Sequence, residues 1–452
     1  MVVDMSYALV STQDDGPLQL RKLINLLKGE DIMTKINYTN AAIYNHAAQT
    51  FETNRYMIVD TDTGKIIETG EGKGPASVDE TVDMKGKYVM PGIMNAHTHI
   101  TSIPTYWWHD GEEDRHSDSR EFNTMYAIRN MQDAINNGIT YIRNVGAAYD
   151  IDMEIQKMQE KGMIAGPKVM TSGRAFTMTG GHGAGSGHEV DGVDEMIKGV
   201  RTAMKKGVDN IKLMVTGGVL KNGETPDDIQ FNEDEVRAAV VEAHHKGKTV
   251  AAHVQGAEGV KEAARVGVDT VEHAFNIDDE TIAIFREHGT TIVPTMNAMY
   301  AIYEYGENTV PDWARQKVIV NIEKHFASIT KAAAAGIPIA MGTDAGTPYN
   351  GFESESAYEI QLYVEKAGMT PAQAIDTATI NCARAMHVEA EYGEIAPGKY
   401  ADFIAMTEDP IADISVIQRE KDVYQNGVNV HRAVMTIEDQ QMKQAEMQVA
   451  GR

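Results

Sequence analysis

Only one cysteine, Cys382, stands among 452 residues. A single thiol can build neither an intramolecular disulfide framework nor a cysteine-based zinc site, and its scarcity suits a reducing compartment. Cys382 lies in TATINCARAM, a helical stretch, where it reads as a small buried apolar residue rather than a nucleophile. Long apolar runs are also missing. The best candidate, Ala332 to Gly342, falls short of the ~18–20 residues of a membrane span, and Gly336 and Pro338 break it. The segment MVVDMSYALVSTQDDGP carries acids where a secretory leader would show a basic and then an apolar stretch. The expectation is a cytoplasmic protein with no membrane partner. Basic charge is in deficit as well, since 41 Lys plus Arg against 66 Asp plus Glu leave −25. Such a surface repels polyanions, which argues against a nucleic-acid partner.

What is present is enough apolar material for a large core. At 42% hydrophobic residues the chain is not disordered as a whole. Its length fits one barrel of ~250 residues plus a small satellite better than one ordinary domain.

The pattern changes along the chain. Residues 1–34 read as an extension, with helical spacing of Leu18, Leu20, Leu23, Ile24 and Leu27 ending at Gly29, able to cap the fold or meet another subunit. Residues 35–89 show short strands rich in Thr, Tyr, Val and Ile, with Asp62-Thr63-Gly64 as a hairpin turn. Residues 388–436 repeat that style around an Asn426-Gly427 turn. Both flanks together predict one small β-sandwich domain made from the two chain ends. A tail follows at 437–452. Between the flanks, residues 90–387 alternate short apolar strands with amphipathic helices such as FNEDEVRAAVVEAHHKG, where Asn232 can cap the helix. Eight strands at ~37 residues per unit match an α/β chain folded as a (β/α)8 TIM-like barrel, with a doubly wound open sheet as the competitor.

Polar residues at strand ends favour the barrel. His97 and His99 in NAHTHI are two apart, so an extended chain presents both on one face. Lys212 interrupts an apolar strand, where a bare ammonium is costly. His253 ends KTVAAH, His273 ends DTVEH and Asp344 ends IPIAMGTD. A parallel barrel gathers such strand ends at one mouth. Imidazoles with a carboxylate suit Zn²⁺ or related divalent ions. Singly, each has a plainer reading: HxH alone is a weak motif, Asp344 could cap a turn, and Lys212 could sit in an ion pair. The ordered set points to metal.

PGIMNAHTH, IKLMVTGG, AAHVQG, TVEHAF and GTDAG resemble the metal-binding signatures of the amidohydrolase superfamily. TSGRAFTMTGGHG, VPT and ATINCARAMHVEAEYGEIAPGKYADFIAM resemble its branch of imidazolonepropionase-like and prolidase-like (Xaa-Pro dipeptidase) proteins, over about residues 35–435. The resemblance implies two divalent ions, of which zinc is the expected metal. His97, His99 and Asp344 would hold the first ion, His253 and His273 the second. Lys212, carboxylated by CO₂ to a carbamate, would bridge them. The simpler alternative is an unmodified Lys212 beside one ion. Such ions make hydroxide available near neutral pH, and Asp344 would accept its proton and pass it to the leaving amine.

The same resemblance implies that His182, in TGGHGAGSGH, touches the substrate carbonyl. That segment lacks the Gly-Lys-Ser/Thr ending of a phosphate loop, so nucleotide binding is rejected. Arg174 could meet a substrate carboxylate or form an internal ion pair. Tyr300, after VPT, is a further substrate-facing candidate. Trp107, Trp108, His109 and His116 lie in a polar loop suited to a lid or subunit contact, and His244 and His245 read as solvated helix residues. The 26 methionines read as adaptable core filling.

The expected function is metal-dependent hydrolysis of an amide bond in a dipeptide or N-acyl amino acid, prolidase-like, in a possible homo-oligomer. The competing enzymatic reading is a mononuclear cyclic-amide hydrolase or deaminase of the imidazolonepropionase type. A non-catalytic scaffold is disfavoured because all six ligand positions are filled.

Overall fold

The structure, a computed structural model, describes residues 35–104, 119–353 and 355–430. The N-terminal extension, the loop holding Trp107, Trp108, His109 and His116, and the C-terminal tail lie outside the described residues.

Both ends of the described chain build one sheet of eight strands. Tyr88–Pro91 is its joint: it runs parallel to Lys35–Asn45, with Ala42 opposite Tyr88, and antiparallel to Phe403–Met406, with Met90 opposite Ile404. Aromatic and β-branched residues suit such a pleated surface. Inside it, the Tyr38 ring meets the edge of Phe403 at 5.4 Å, and Phe403 stacks on Tyr424 at 4.2 Å. Both expected turns form. Thr50–Asp60 pairs antiparallel with Lys65–Glu71 across the Asp-Thr-Gly segment. Asn426 and Gly427 both adopt positive φ, 52° and 75°, as a tight Asn-Gly hairpin requires.

The middle of the chain forms parallel strands with helices between them: β1 (Ile93–Thr98), β2 (Ile139–Asn144), β3 (Lys168–Met170), β4 (Asn210–Met214), β5 (Thr249–Val254), β6 (Thr270–His273) and β7 (Thr291–Val293). β1, β2 and β3 are neighbours in one sheet and β4 to β7 in another, all parallel. Every residue of β1, β2 and β5 is buried, which is why these strands are apolar runs rather than alternating ones. Further backbone bonds curl the arrangement. Asn210 N donates to Thr171 O at 3.0 Å beside β3, Ala340 N to Ile292 O at 2.9 Å, and Ala96 N to Met341 O at 2.8 Å. The segment around 338–345 thus runs between β7 and β1. The fold is α/β with a curled parallel sheet.

The helix Glu233–His244 starts at Asn232 with a complete capping box to Glu235. Cys382 is fully buried with Sγ 3.1 Å from Met341 O, and burial pushes its thiol up to about 12, so it is inert packing. Among the described residues no helix is long and apolar enough to cross a membrane.

Candidate active site

The C-terminal ends of the parallel strands face one cavity of about 410 Å³. His97, His99, Lys212, His253, His273 and Asp344 all line it. Residues spread over 248 positions of chain become neighbours because parallel strands end on the same side.

Asp344 Oδ1 lies 3.0 Å from His99 Nε2 and 3.3 Å from His97 Nε2. Ligand atoms of these three side chains fall within 4.8 Å of one another, a group able to hold a metal ion. Burial pushes the Asp344 carboxyl up, but His97 and His99 outweigh it and hold the group well below the usual carboxylate range. The His97 ring is oriented from behind, because its Nδ1 meets Glu272 Oε2 at 2.6 Å and Nε2 is left facing Asp344. A carboxylate on the far nitrogen is the usual way to fix a ligating imidazole.

His253 and His273 extend the set, with ring centroids 4.6 Å apart and His273 5.1 Å from His97. Burial lowers the pKa of both well below the ordinary value, and lowers that of His99, so all three are neutral rings with lone pairs available to a metal. His273 Nδ1 is 2.6 Å from Thr295 Oγ1. The backbone is strained here: His273, Thr295 and Asp344 adopt φ of 75°, 54° and 59°. Positive φ is rare for residues with a Cβ and marks sites where neighbours enforce geometry.

Lys212 sits among them, buried, with Nζ making no hydrogen bond. Burial draws its pKa down to about 8, partly offset by Glu272 and Asp344. An orphaned buried amine beside imidazoles and the Asp344 and Glu272 carboxyl groups fits a site that bound cations would complete. The donor set is nitrogen and oxygen throughout, as Zn²⁺ and similar ions accept.

His182 also lines the cavity, stacked on His253 at 4.4 Å and 17°. Its Nδ1 bonds Glu224, which further accepts from Gly218 N at 2.8 Å and Gln230 Nε2 at 2.9 Å. Burial raises the Glu224 pKa, and these contacts outweigh it, His182 foremost. The second glycine of the Thr-Gly-Gly segment is explained by this ring: a Cβ on Gly218 would lie 2.6 Å from His182 Cε1.

Arg174 and Tyr300 are placed elsewhere. Arg174 Nε lies 3.9 Å from Asp150 Oδ1, the internal ion pair that the sequence offered as its alternative role, and it lines a separate small cleft with His188 and Lys206. Tyr300 faces Tyr358 at 5.5 Å and lines a groove between helices with Tyr303 and Phe326. Its helix, Met296–Tyr305, turns that ring away from the cavity, while Ala298, Met299 and Ile302 of the same helix line it. His244 is half exposed and pairs with Asp269 at 2.9 Å.

Glu272, Arg143, Glu224 and Thr295 escaped the sequence reading. Glu272 and Arg143 left a signal, since each is a charge inside an apolar strand, and they pair at 2.8 Å between Arg143 Nη2 and Glu272 Oε1. Glu224 lies in a polar loop and Thr295 among ordinary threonines, so nothing local marked them.

The amidohydrolase family profile matches residues 88–430. The chain belongs to the amidohydrolase family. It is 31% identical to an ochratoxinase of Aspergillus niger over 372 residues, 74% of this chain and 73% of that one. Among solved structures it is similar to a Xaa-Pro dipeptidase with methionine bound in its active site (TM-score 0.80, 28% identity, 88% of this chain and 100% of that one). A prolidase complexed with N-methylphosphonate-L-proline gives a TM-score of 0.79 at 25% identity, over 88% of this chain and 100% of that one. These amidohydrolase neighbours share its α/β fold.

Proposed function

We propose that this amidohydrolase is a metal-dependent enzyme cleaving an amide bond in a dipeptide or an N-acyl amino acid, with prolidase-like action as the favoured instance. The observation that carries the reading is the unpaired buried amine of Lys212 in one cavity with His97, His99, His253, His273 and Asp344. His97, His99 and Asp344 would hold one divalent ion, His253 and His273 a second, and Lys212 as its carbamate would join them; zinc suits this set. Bound there, divalent ions supply Lewis-acid polarisation of the scissile carbonyl and a water of lowered pKa.

The chain's own residues supply the rest. Asp344, an anion at neutral pH, accepts the nucleophile's proton and returns it to the leaving nitrogen. His182, held through Nδ1 by the Glu224 carboxyl group, lines the cavity and would set its ring beside the scissile carbonyl, where oxyanion charge develops. Val219, Leu220, Phe275 and Met299 give the cavity an apolar wall for an acyl group or side chain. Likeness to an ochratoxinase, a Xaa-Pro dipeptidase and a prolidase supports amide hydrolysis over other reactions of the family.

The same reading takes residues 90–387 as a (β/α)8 barrel, supported by the backbone bonds that carry the segment around 338–345 between β7 and β1. Residues 35–89 with 388–436 are then a small β-sandwich domain.

One observation favours a second reading. Among the described residues, the His97, His99 and Asp344 ligand atoms gather within 4.8 Å, as a one-ion cyclic-amide hydrolase or deaminase of the imidazolonepropionase type requires. Metal analysis and intact mass of gently purified protein separate the two. Two equivalents per chain with the added mass of one CO₂ support the first reading, and one equivalent with unmodified Lys212 supports the second. Screening dipeptides and N-acyl amino acids for amine release then identifies the substrate.

A further inference from the structure

Glu359, in the helix Glu355–Ala367, is fully buried, and among the described residues no cation pairs with it. Its Oε1 accepts from Met296 N at 2.8 Å and its Oε2 from Asn297 N at 2.6 Å. These are the first two N–H groups of the helix Met296–Tyr305, in the turn whose second or third N–H the side chain of the preceding residue ordinarily caps. Here that residue is Thr295, and it makes no cap bond. Its hydroxyl is turned instead to His273 Nδ1 at 2.6 Å, from a backbone at φ 54°. A β-branched residue does not hold that conformation unaided. The distant carboxyl group therefore takes over the capping role and leaves the threonine hydroxyl for the histidine.

A second arm starts at the same helix turn. Asn297 Nδ2 donates to Asn350 Oδ1 at 2.9 Å. Asn350 Nδ2 in turn donates to Thr343 O at 2.7 Å and Asp344 O at 3.1 Å, and Asp344 is itself a strained position, at φ 59°. One carboxyl group thus stands behind two paths, one ending on the Asp344 backbone carbonyl and the other on the His273 ring.

We propose that Glu359 is a positioning residue for both halves of the metal centre, acting on His273 through Thr295 and on Asp344 through Asn297 and Asn350. The inference rests on the two-ion reading above. Glutamine at 359 would place an amide N–H against one of the helix N–H groups, and aspartate would be too short to reach both.

The test is zinc affinity by chelator competition on the folded full chain, with circular dichroism and metal-free melting recorded in parallel. Glu359→Gln is expected to keep the fold and weaken both ions about 10–100-fold, the range for partners that orient ligands. Thr295→Val is expected to weaken only the ion at His273. The Glu359→Gln/Thr295→Val double variant should bind that ion no more weakly than Glu359→Gln alone, within about threefold, because both changes break one path. The inference is overturned if Glu359→Gln melts earlier yet binds both ions as the parent does, or if the two losses multiply. Should Glu359→Gln not fold, Asn297→Ala leaves the Glu359 carboxyl group in place and removes the bond to Asn350 that starts the second arm. It should weaken the ion at Asp344 alone, and parental affinity there overturns the inference. A parent that binds one ion per chain overturns the two-ion reading itself, which is seen before any substitution is made.

Discussion

Glu272 divides its carboxylate between His97, at 2.6 Å from Oε2 to Nδ1, and Arg143, at 2.8 Å from Oε1 to Nη2. All three side chains are buried, so one acid both orients the His97 ring and neutralises a buried guanidinium. Glu272→Gln should weaken metal binding about 10–100-fold while the protein stays folded. Glu272→Ala strands Arg143 and should destabilise the protein by roughly 3–5 kcal/mol. Metal titration and urea unfolding read the two effects separately; a glutamine variant with parental metal affinity would show that His97 does not depend on this contact.

Lys212 gives an opposite signature in the metal-free protein. Its buried Nζ has no partner, so Lys212→Met should stabilise the chelated protein by about 1–3 kcal/mol, the desolvation cost of an unsatisfied polar group. The same variant should lose turnover once metal is restored. Urea unfolding in chelator checks the first half, and unchanged or lower stability counts against an orphaned amine.

That these residues share one cavity was legible because strand-end histidines are sparse and interrupt apolar runs. His97, His253 and His273 close apolar strands, and Lys212 is a charge where burial forbids one without a purpose. The hairpin turns were legible for the same local reason, since Asn426-Gly427 is chemistry that the turn itself demands. Arg174 and Tyr300 were not, because their role turns on which way a side chain leaves its segment, and a nearby Asp150 or Tyr358 decided that across the fold. Glu224 and Glu359 act through tertiary hydrogen bonds to backbone or ring atoms tens of residues away, which no local pattern records.

Arg174→Ala should therefore leave KM within about twofold of the parent and change stability by no more than ~0.5 kcal/mol, as for other partly exposed side chains. Steady-state kinetics on the best substrate decides this. A KM raised tenfold or more with kcat unchanged would restore Arg174 as a carboxylate-binding group.

Asp402, buried in the small sheet, has its carboxyl pushed up to about 7 by burial, which outweighs its bond from Asn426 N and the Lys168 charge. With the folded pKa above the unfolded one, this group's stabilising contribution is complete below about pH 4 and is lost as pH rises through about 7. Asp402→Asn should flatten that fall, so that the variant gains on the parent between pH 5 and about 8 and matches it near pH 4. Chemical unfolding at each pH tests it; parallel profiles would show that Asp402 ionises freely in the folded protein.

The central claim is metal-dependent amide hydrolysis at the cavity shared by His97, His99, Lys212, His253, His273 and Asp344. Its most direct test is amine release from an N-acyl amino acid or dipeptide found by screening, measured for parent and Asp344→Asn before chelation, after it, and after divalent metal is returned. The parent should lose turnover on chelation and regain it with metal, and the folded Asp344→Asn protein should stay inactive throughout. Turnover by the chelated parent, or by Asp344→Asn, at the parental rate would contradict it.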